Sequence, residues 1–260
     1  MARLAQMNSV YGLHRAIASS LPATGHSSTT HSVRRSRLIA ALGGGGFSGG
    51  GRAIDDHLLA LTGKQRPRVC FVPTASGDSA VYVDRFVEAF PPARADASVL
   101  PLFARSDDDP TDLLLAQDVI YVGGGNTANM LAIWRLHGVD TAMREAYERG
   151  ILLCGTSAGA NCWFDACSTD SFGPGLQALR DGLGLLPGGF CPHFDGEELR
   201  RPTLRQMVDD GDMPTTIAAD DGVAVIFEDG ALSDIVAERP DASAYRLQPG
   251  LETELPARLL

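Results

Sequence analysis

Residues 151–161 read Ile-Leu-Leu-Cys-Gly-Thr-Ser-Ala-Gly-Ala-Asn, an apolar run followed by a serine between two glycines. The run Ile151–Cys154 is typical of a strand that is buried on both faces of a parallel sheet. Gly155–Gly159 fits the pattern G-x-S-x-G, and the residues from Ala158 to Phe164 suit a helix. A strand, a tight turn and a helix in this order predict an α/β fold in which Ser157 is exposed at the sheet edge.

The rest of the chain repeats this alternation of strand and helix. Short apolar runs, each followed by small or Gly-rich residues, predict strands at Leu38–Leu42, Arg68–Val72, Ser98–Leu102 and Val119–Val122. Apolar residues at helical spacing predict helices at Val81–Phe90, Ala128–Leu136 and Thr141–Arg149. This order indicates a doubly wound, mostly parallel sheet with helices on both faces, which binds ligands at the carboxyl ends of its strands. Four β-like segments, at 215–219, 223–228, 232–237 and 244–247, predict an antiparallel C-terminal extension of that sheet.

The composition restricts the possible functions. The 260 residues are 44% hydrophobic, enough for one sizeable core, and carry a formal net charge of −10. An acidic chain lacks the basic face that nucleic-acid binding needs, and no apolar run approaches the roughly 18 residues that span a membrane. The five cysteines show no CxxC pair and no zinc spacing. We therefore expect reduced thiols, a cytoplasmic location and no metal site.

The first residues differ from the remainder of the chain. Residues 1–34 are rich in Ser, Thr and Ala, and no acidic residue occurs before Asp55. This composition predicts a disordered tail. The alternative is an Arg- and Ser-rich targeting peptide, although the continuous apolar region of a secretory signal is missing. Residues 35–250 are predicted to form a single domain.

Ser157 is the candidate nucleophile, and it needs a base to take its proton. The helix behind it would present backbone N–H groups toward a developing oxyanion, whereas the alternative is that the serine only caps that helix. Of six histidines, three lie in the doubtful tail, and His57 and His137 fall in amphipathic helices. His193, in a loop between turn residues, is therefore the best candidate base, although a lone loop histidine is often a plain surface residue.

A second Gly-rich loop, at 123–127, follows the strand Val119–Val122. Its backbone N–H groups are free to approach a ligand, and Asn126 and Thr127 are candidate substrate contacts; the alternative is a tight turn with a helix cap. No Lys-Ser/Thr pair follows, and the loop at 43–51 lacks a dinucleotide-binding context, so nucleotide binding is not expected. Residues that could orient the base remain open from sequence alone: Asp170, Asp195, Glu197, Glu198, Asp220 and Asp221.

Taken together, these motifs resemble the peptidase E and cyanophycinase family of serine hydrolases. The matching stretches are PTAS at 73–76, GGGNT at 123–127, GTSAGAN at 155–161, PHF at 192–194 and GEELRRP at 196–202. The resemblance extends from about Leu38 to Leu247. It implies a fold similar to that of class I glutamine amidotransferases, with serine in place of cysteine at the tight turn.

The resemblance also implies roles for individual residues. Ser157 corresponds to the nucleophile and His193 to the base. The backbones of Gly124 or Gly125 and of Ala158 correspond to the oxyanion donors.

The third member of the triad and the substrate contacts follow the resemblance less closely. The acid that matches best is Asp221, where members commonly have Glu, and Asp170 is the alternative. Arg200 or Arg201 corresponds to the family's substrate arginine, although the segment is one residue longer before its first arginine and a charged surface helix is the alternative. A bidentate arginine would suit a substrate carboxylate.

Peptidase E cleaves dipeptides after an N-terminal aspartate. The resemblance therefore implies a serine peptidase that hydrolyses such peptides through an acyl-enzyme, as a monomer or homodimer, with no metal or organic cofactor. Three alternatives remain. They are a cyanophycinase-like enzyme for β-linked Asp-Arg, an amidotransferase-like domain, which the lack of cysteine at position 157 disfavours, and a non-catalytic binding module on the same fold.

Overall fold

The described residues of the computed structural model, 36–104 and 109–260, form two β-sheets with helices packed against them. The tail predicted for residues 1–34 lies outside the described residues. The strands are β1 (Leu38–Leu42), β2 (Arg68–Val72), β3 (Asp96–Val99), β4 (Val119–Val122), β5 (Leu152–Thr156), β6 (Phe164–Thr169), β7 (Gln177–Leu179), β8 (Leu186–Cys191), β9 (Thr216–Ala219), β10 (Val223–Glu228), β11 (Ala231–Ala237), β12 (Ala244–Gln248), β13 (Leu251–Leu255) and β14 (Arg258–Leu259). The helices are α1 (Gly46–Gly49), α2 (Ala53–Leu61), α3 (Ala80–Ala89), α4 (Pro110–Leu115), α5 (Thr127–His137), α6 (Val139–Glu148), α7 (Ala158–Asn161) and α8 (Arg200–Asp209), and a 3₁₀ turn occupies Thr74–Ser76.

The main sheet has eight strands in the order β14-β11-β10-β1-β5-β4-β2-β3. The neighbours from β1 to β3 along this order are parallel to one another. By contrast, β10 runs antiparallel to β1, and β11 runs antiparallel to β10. This confirms the doubly wound, mostly parallel sheet with an antiparallel C-terminal extension. The Gly-rich loops after β1, β4 and β5 therefore meet at one edge of the sheet, where such folds bind ligands.

Alternate residues of each central strand enter opposite layers of the core, because side chains of a strand point to its two faces in turn. In β1, Ile39 and Ala41 pack with the layer that contains α4, α5 and α6. Ala40 and Leu42 pack with the layer that contains α1, α2 and α3. Helices thus cover both faces, as the continuous apolar runs predict.

The second sheet has six strands in the order β13-β12-β9-β8-β6-β7. It joins the core layer of α4, α5 and α6 through side chains such as Phe164, whose ring packs edge-on against Phe227 of β10 at 5.6 Å between centroids. Two of the four β-like C-terminal segments, now β9 and β12, belong to this sheet and do not extend the main one. Apolar alternation indicates a strand, but it does not say which sheet the strand joins.

Some predicted bounds also differ from the structure. The helix after Ser157 ends at Asn161, and the chain returns as β6 from Phe164. The third strand is Asp96–Val99 instead of Ser98–Leu102. Strands β13 and β14, beyond the predicted domain end at residue 250, pair with β12 and β11. Within the ranges that the structure describes, no helix has the length and apolar character needed to cross a membrane.

Candidate active site

Ser157 lies at the turn from β5 into α7, in a backbone conformation that L-residues rarely adopt. Its φ is 55° and its ψ is −115°. Such strain costs about 1–3 kcal/mol and persists only where the surrounding structure imposes it. The turn is held from both sides: the Ser157 N–H donates to the carbonyl of Leu42 at 3.1 Å, and the Ser157 carbonyl accepts the N–H groups of Ala160 and Asn161, each at 2.9 Å. The Ser157 hydroxyl makes no capping hydrogen bond to α7. Ser157 therefore does not cap α7 through its side chain, and its Oγ remains available to other partners.

His193 follows β8, and its backbone is held by the same strand end that holds the backbone of Ser157. Its N–H donates to the carbonyl of Gly43 at 3.0 Å, so Leu42 and Gly43, consecutive at the end of β1, hold the backbones of Ser157 and His193. His193 also has a positive φ, of 53°, and its side chain is one-third exposed. A single strand end thus brings together two residues that are 36 positions apart in the sequence.

Asp221 provides the acid beside the imidazole. It lies in the turn between β9 and β10, and its Oδ1 is 2.6 Å from His193 Nδ1. The pKa of the Asp221 carboxyl is held below its ordinary value, first by the hydrogen bond to His193 and further by the positive charges of His193, Arg239 and Arg200. The carboxylate is therefore ionised at neutral pH, as a group that orients an imidazole and stabilises an imidazolium must be.

Asp170 does not take this place. It is exposed in the loop after β6, and the carboxylate that contacts His193 is that of Asp221. Asp195, another candidate from the sequence, has a different role. Its Oδ1 accepts the backbone N–H of Asp221 at 2.8 Å, and its Oδ2 forms an ion pair with Arg239. Asp195 and Arg239 therefore support the turn that carries Asp221.

The loop after β4 approaches the serine closely. A Cβ added to Gly124 would lie 3.2 Å from the Cβ of Ser157, so glycine at this position permits the approach. The Gly124 N–H donates to the hydroxyl of Tyr82 at 3.3 Å. Gly125 has a φ of 139°, and an added Cβ would collide with the Ala75 carbonyl. The N–H groups of Gly125 and Ala158 donate to no loop carbonyl or side chain in the described part of the chain, which leaves these two for a ligand.

Asn126 and Thr127, predicted as substrate contacts, use their polar atoms within the protein. Asn126 caps α5: its Oδ1 accepts the N–H of Asn129 at 2.8 Å, and its Nδ2 donates to the carbonyl of Ser171 at 3.0 Å. The Thr127 side chain is 1% exposed, and its hydroxyl lies 3.4 Å from Asn161 Nδ2. Asn126 therefore fits the helix-cap alternative, and Thr127 is buried against Asn161.

Arg200 and Arg201 begin α8 but face different surroundings. The Arg200 guanidinium is buried and donates to the carbonyl of Pro192 at 3.4 Å, directly before His193, and to Glu197 at 2.9 Å. Its Nε is buried without a partner in the described structure. Arg201 forms an ion pair with Glu252 and lies over two aromatic rings, those of Phe194 and Tyr245. Both arginines therefore contact the segment carrying His193, Arg200 through the Pro192 carbonyl before it and Arg201 through the Phe194 ring after it.

The described residues offer neither a metal-binding cluster nor a reactive thiol. Within 36–104 and 109–260, no group of three or more His, Cys, Asp or Glu side chains could hold a metal ion. All five cysteines are free and buried, and burial raises the pKa of the Cys70 and Cys167 thiols to about 12. They are therefore neutral core residues and poor nucleophiles.

Two residues that contact the site were not predicted from the sequence. Arg239 binds Asp195 and Tyr82 binds Gly124, and both contacts join parts of the chain that are distant in sequence.

Comparison with known proteins places this chain among peptidases. Residues 39–235 match the model of peptidase family S51. A Bacillus subtilis protein described as uncharacterized peptidase YgaJ is 44% identical over 213 residues, which cover 81% of this chain and 92% of that protein. Peptidase E of Streptomyces coelicolor is 30% identical over 176 residues, covering 63% of this chain and 71% of that protein.

Solved structures share the fold at low sequence identity. A peptidase from an acI-B1 actinobacterium has a TM-score of 0.68 at 17% identity and covers 86% of this chain and 96% of its own. A putative peptidase E from Listeria monocytogenes has a TM-score of 0.57 at 19% identity, covering 78% and 98%. These similarities show the fold and agree with the arrangement of strands described above.

Proposed function

This chain belongs to peptidase family S51, and on that premise we propose that it hydrolyses short peptides by a serine mechanism with Ser157, His193 and Asp221 as the triad. The observation that carries this proposal is the juxtaposition at the end of β1. The consecutive carbonyls of Leu42 and Gly43 hold a serine in a strained strand-to-helix turn, with its hydroxyl not used as a cap, and a histidine whose Nδ1 is 2.6 Å from a carboxylate. Acyl transfer needs a nucleophile, a base and an acid that orients the base, and these three residues offer one of each.

The proposed reaction proceeds in two halves. Asp221, bound to Nδ1, fixes the tautomer of His193 so that Nε2 is the nitrogen that takes the proton of the Ser157 hydroxyl. The serine oxygen attacks the scissile carbonyl, and the N–H groups of Gly125 and Ala158 donate to the oxyanion that forms. His193 then gives its proton to the leaving amine, and water, activated by the same imidazole, releases the acyl group. Each backbone donor of this kind is worth about 10²- to 10³-fold in rate.

The proposed substrate class is dipeptides with an N-terminal aspartate. Support comes from the peptidase E motifs and from the relatives that carry that name. Within the site, Arg200 is the residue proposed to bind the substrate carboxylate, because its guanidinium donates to the carbonyl of Pro192, directly before His193, and the family resemblance implies a substrate arginine in this segment. Both arginines have a carboxylate partner, and Arg201 is the weaker candidate because its guanidinium is stacked over Phe194 and Tyr245.

The experiment compares hydrolysis of Asp-X and Glu-X with Ala-X and β-Asp-Arg dipeptides, alongside labelling by a fluorophosphonate. Ser157→Ala should lose at least about 10⁴-fold in kcat/KM and all labelling, since the nucleophile is removed. Ser233→Ala, a serine of β11 in the antiparallel extension, is the matched control. Turnover of Asp-X alone supports the aspartyl dipeptidase, and turnover of β-Asp-Arg would replace it with the other substrate class. If the unmodified protein neither turns over any of these peptides nor reacts with the fluorophosphonate, the serine mechanism is refuted and a binding module remains.

A further inference from the structure

The first Gly-rich loop, residues 43–51, is linked to the second, residues 123–127, by hydrogen bonds that involve none of the three triad residues. Ser48, in α1 within this loop, has its Oγ 2.7 Å from the hydroxyl of Tyr82 in α3. The same Tyr82 hydroxyl accepts the N–H of Gly124 at 3.3 Å. One phenol oxygen therefore joins the loop after β1 to the loop after β4, directly behind the glycine that approaches Ser157.

Packing fixes the position of this hydroxyl. The Tyr82 ring lies 5.0 Å from the ring of Phe71 and 5.5 Å from that of Phe47. A Cβ added to Gly123 would lie 2.9 Å from Tyr82 Cε1, so the absence of a side chain at Gly123 makes room for the ring. Burial raises the pKa of Tyr82 above its ordinary value, so the phenol stays protonated at neutral pH. It can donate to Ser48 while it accepts from Gly124.

The direction of this hydrogen bond determines which backbone N–H is available to a substrate. The Gly124 N–H is committed to Tyr82, behind the loop, while the next N–H, that of Gly125, has no acceptor among loop carbonyls and side chains of the described residues. The Asn126 N–H donates to the carbonyl of Ala75 at 2.8 Å, so the loop is held on both sides of Gly125 and the peptide that carries its N–H has little room to turn. An oxyanion donor must be held close to its productive geometry to act.

We propose that Tyr82 is a positioning residue for the oxyanion-binding loop: its hydroxyl, held by Ser48, ties down Gly124 so that the Gly125 N–H stays directed at the reacting carbonyl. The inference rests on the proposed serine mechanism. The oxyanion of the transition state depends more on this donor than the carbonyl of the bound substrate does. Loss of the Tyr82 hydroxyl should therefore affect kcat more than KM.

Tyr82→Phe tests the proposal, because it keeps the ring that packs against Phe71 and removes only the hydroxyl. We expect kcat to fall roughly 10- to 100-fold with KM changed less than about 2-fold. The rate of fluorophosphonate labelling of Ser157 should fall by a similar factor, and this readout does not require the peptide substrate to be known. Tyr147→Phe, in α6 and away from the site, is the matched control for loss of a phenol hydroxyl.

Ser48→Ala gives an independent variant in case Tyr82→Phe folds poorly. It should slow labelling in the same direction but less, because Tyr82 can still accept from Gly124. Combined with Tyr82→Phe it should add nothing further, since both changes act through one hydrogen-bond chain.

The outcomes separate this inference from the proposed function. If the unmodified protein is neither labelled nor active, the serine mechanism fails, and this inference fails with it. If the unmodified protein is labelled and Tyr82→Phe and Ser48→Ala both react at the same rate as it does, only the role of Tyr82 is overturned. A loss in Tyr82→Phe that appears entirely in KM, or one that Tyr147→Phe reproduces, would also overturn it.

Discussion

Replacing Asp55 by Asn should change the free energy of unfolding in a pH-dependent way. Asp55 lies in the first turn of α2 and is 1% exposed, and neither carboxylate oxygen has a hydrogen bond of ordinary geometry in the described structure. Burial raises its pKa from the ordinary 3.8 to about 7, the charge of Glu238 acts in the same direction, and the charge of Arg94 opposes it. Below about pH 7, the folded protein therefore holds Asp55 mainly as the neutral carboxylic acid.

The sign and size of the effect follow from this raised pKa. The unfolded chain releases the Asp55 proton near pH 4, whereas the folded protein keeps it until about pH 7. Between these values the folded state binds more protons, so stability falls as the pH rises and levels off above about pH 7. A pKa difference of about 3 corresponds to about 4 kcal/mol in total, of which roughly 3 kcal/mol should be lost between pH 5 and pH 8.

The assay is urea unfolding at pH 5, 6, 7 and 8 for the unmodified protein and for Asp55→Asn. Asn cannot ionise, so the variant should gain up to roughly 3 kcal/mol relative to the unmodified protein between pH 5 and pH 8. Asp84→Asn, on an exposed part of α3, removes the same charge without burial and should show no such trend. A difference between Asp55→Asn and the unmodified protein that stays constant from pH 5 to pH 8 would refute the reasoning.

Two further substitutions examine the loops around Ser157. Asp195→Asn should lower kcat by roughly 10-fold, because the turn carrying Asp221 loses its charged support from Asp195 and Arg239; an unchanged kcat in steady-state assays would contradict this. Gly125→Ala should abolish fluorophosphonate labelling and cost on the order of 1–3 kcal/mol in thermal unfolding, since it adds a clash to a strained φ. Gly63→Ala, also at positive φ (67°) but with open space around it, is the control, and equal losses in the two variants would argue against the clash.

Much of the main sheet could be predicted from sequence because its strands are buried on both faces. The bounds of β1, β2 and β4 agree with the apolar runs, since every interior position of such a strand must be apolar. The second sheet could not be assigned in this way. Its strand β8 reads Leu-Pro-Gly-Gly-Phe-Cys, without the alternation that signals a strand, and α7 is too short to be told from the longer helix that the sequence predicts.

For the candidate site, sequence reasoning reached the residues that belong to motifs. The tight turn predicts Ser157, and elimination among the histidines together with the loop context predicts His193. The family resemblance favours Asp221 among the acids that the sequence leaves open, and the structure places Asp221 against His193. Arg239 and Tyr82 carry no comparable signal, because each meets the site through a contact more than 40 residues away in the chain. Asn126 and Thr127 were predicted as ligand contacts, yet a helix start calls for the same residue types.

The backbone of Ser157 also limits how this position can change over evolution. At a φ of 55°, a β-branched side chain crowds the neighbouring peptide groups, so threonine would be a severe outlier even though it carries the same hydroxyl. Cysteine, which is unbranched at Cβ, meets no such obstacle. Substitutions that keep the fold intact would therefore exchange the side-chain oxygen for sulfur more readily than they would add one methyl group beside it.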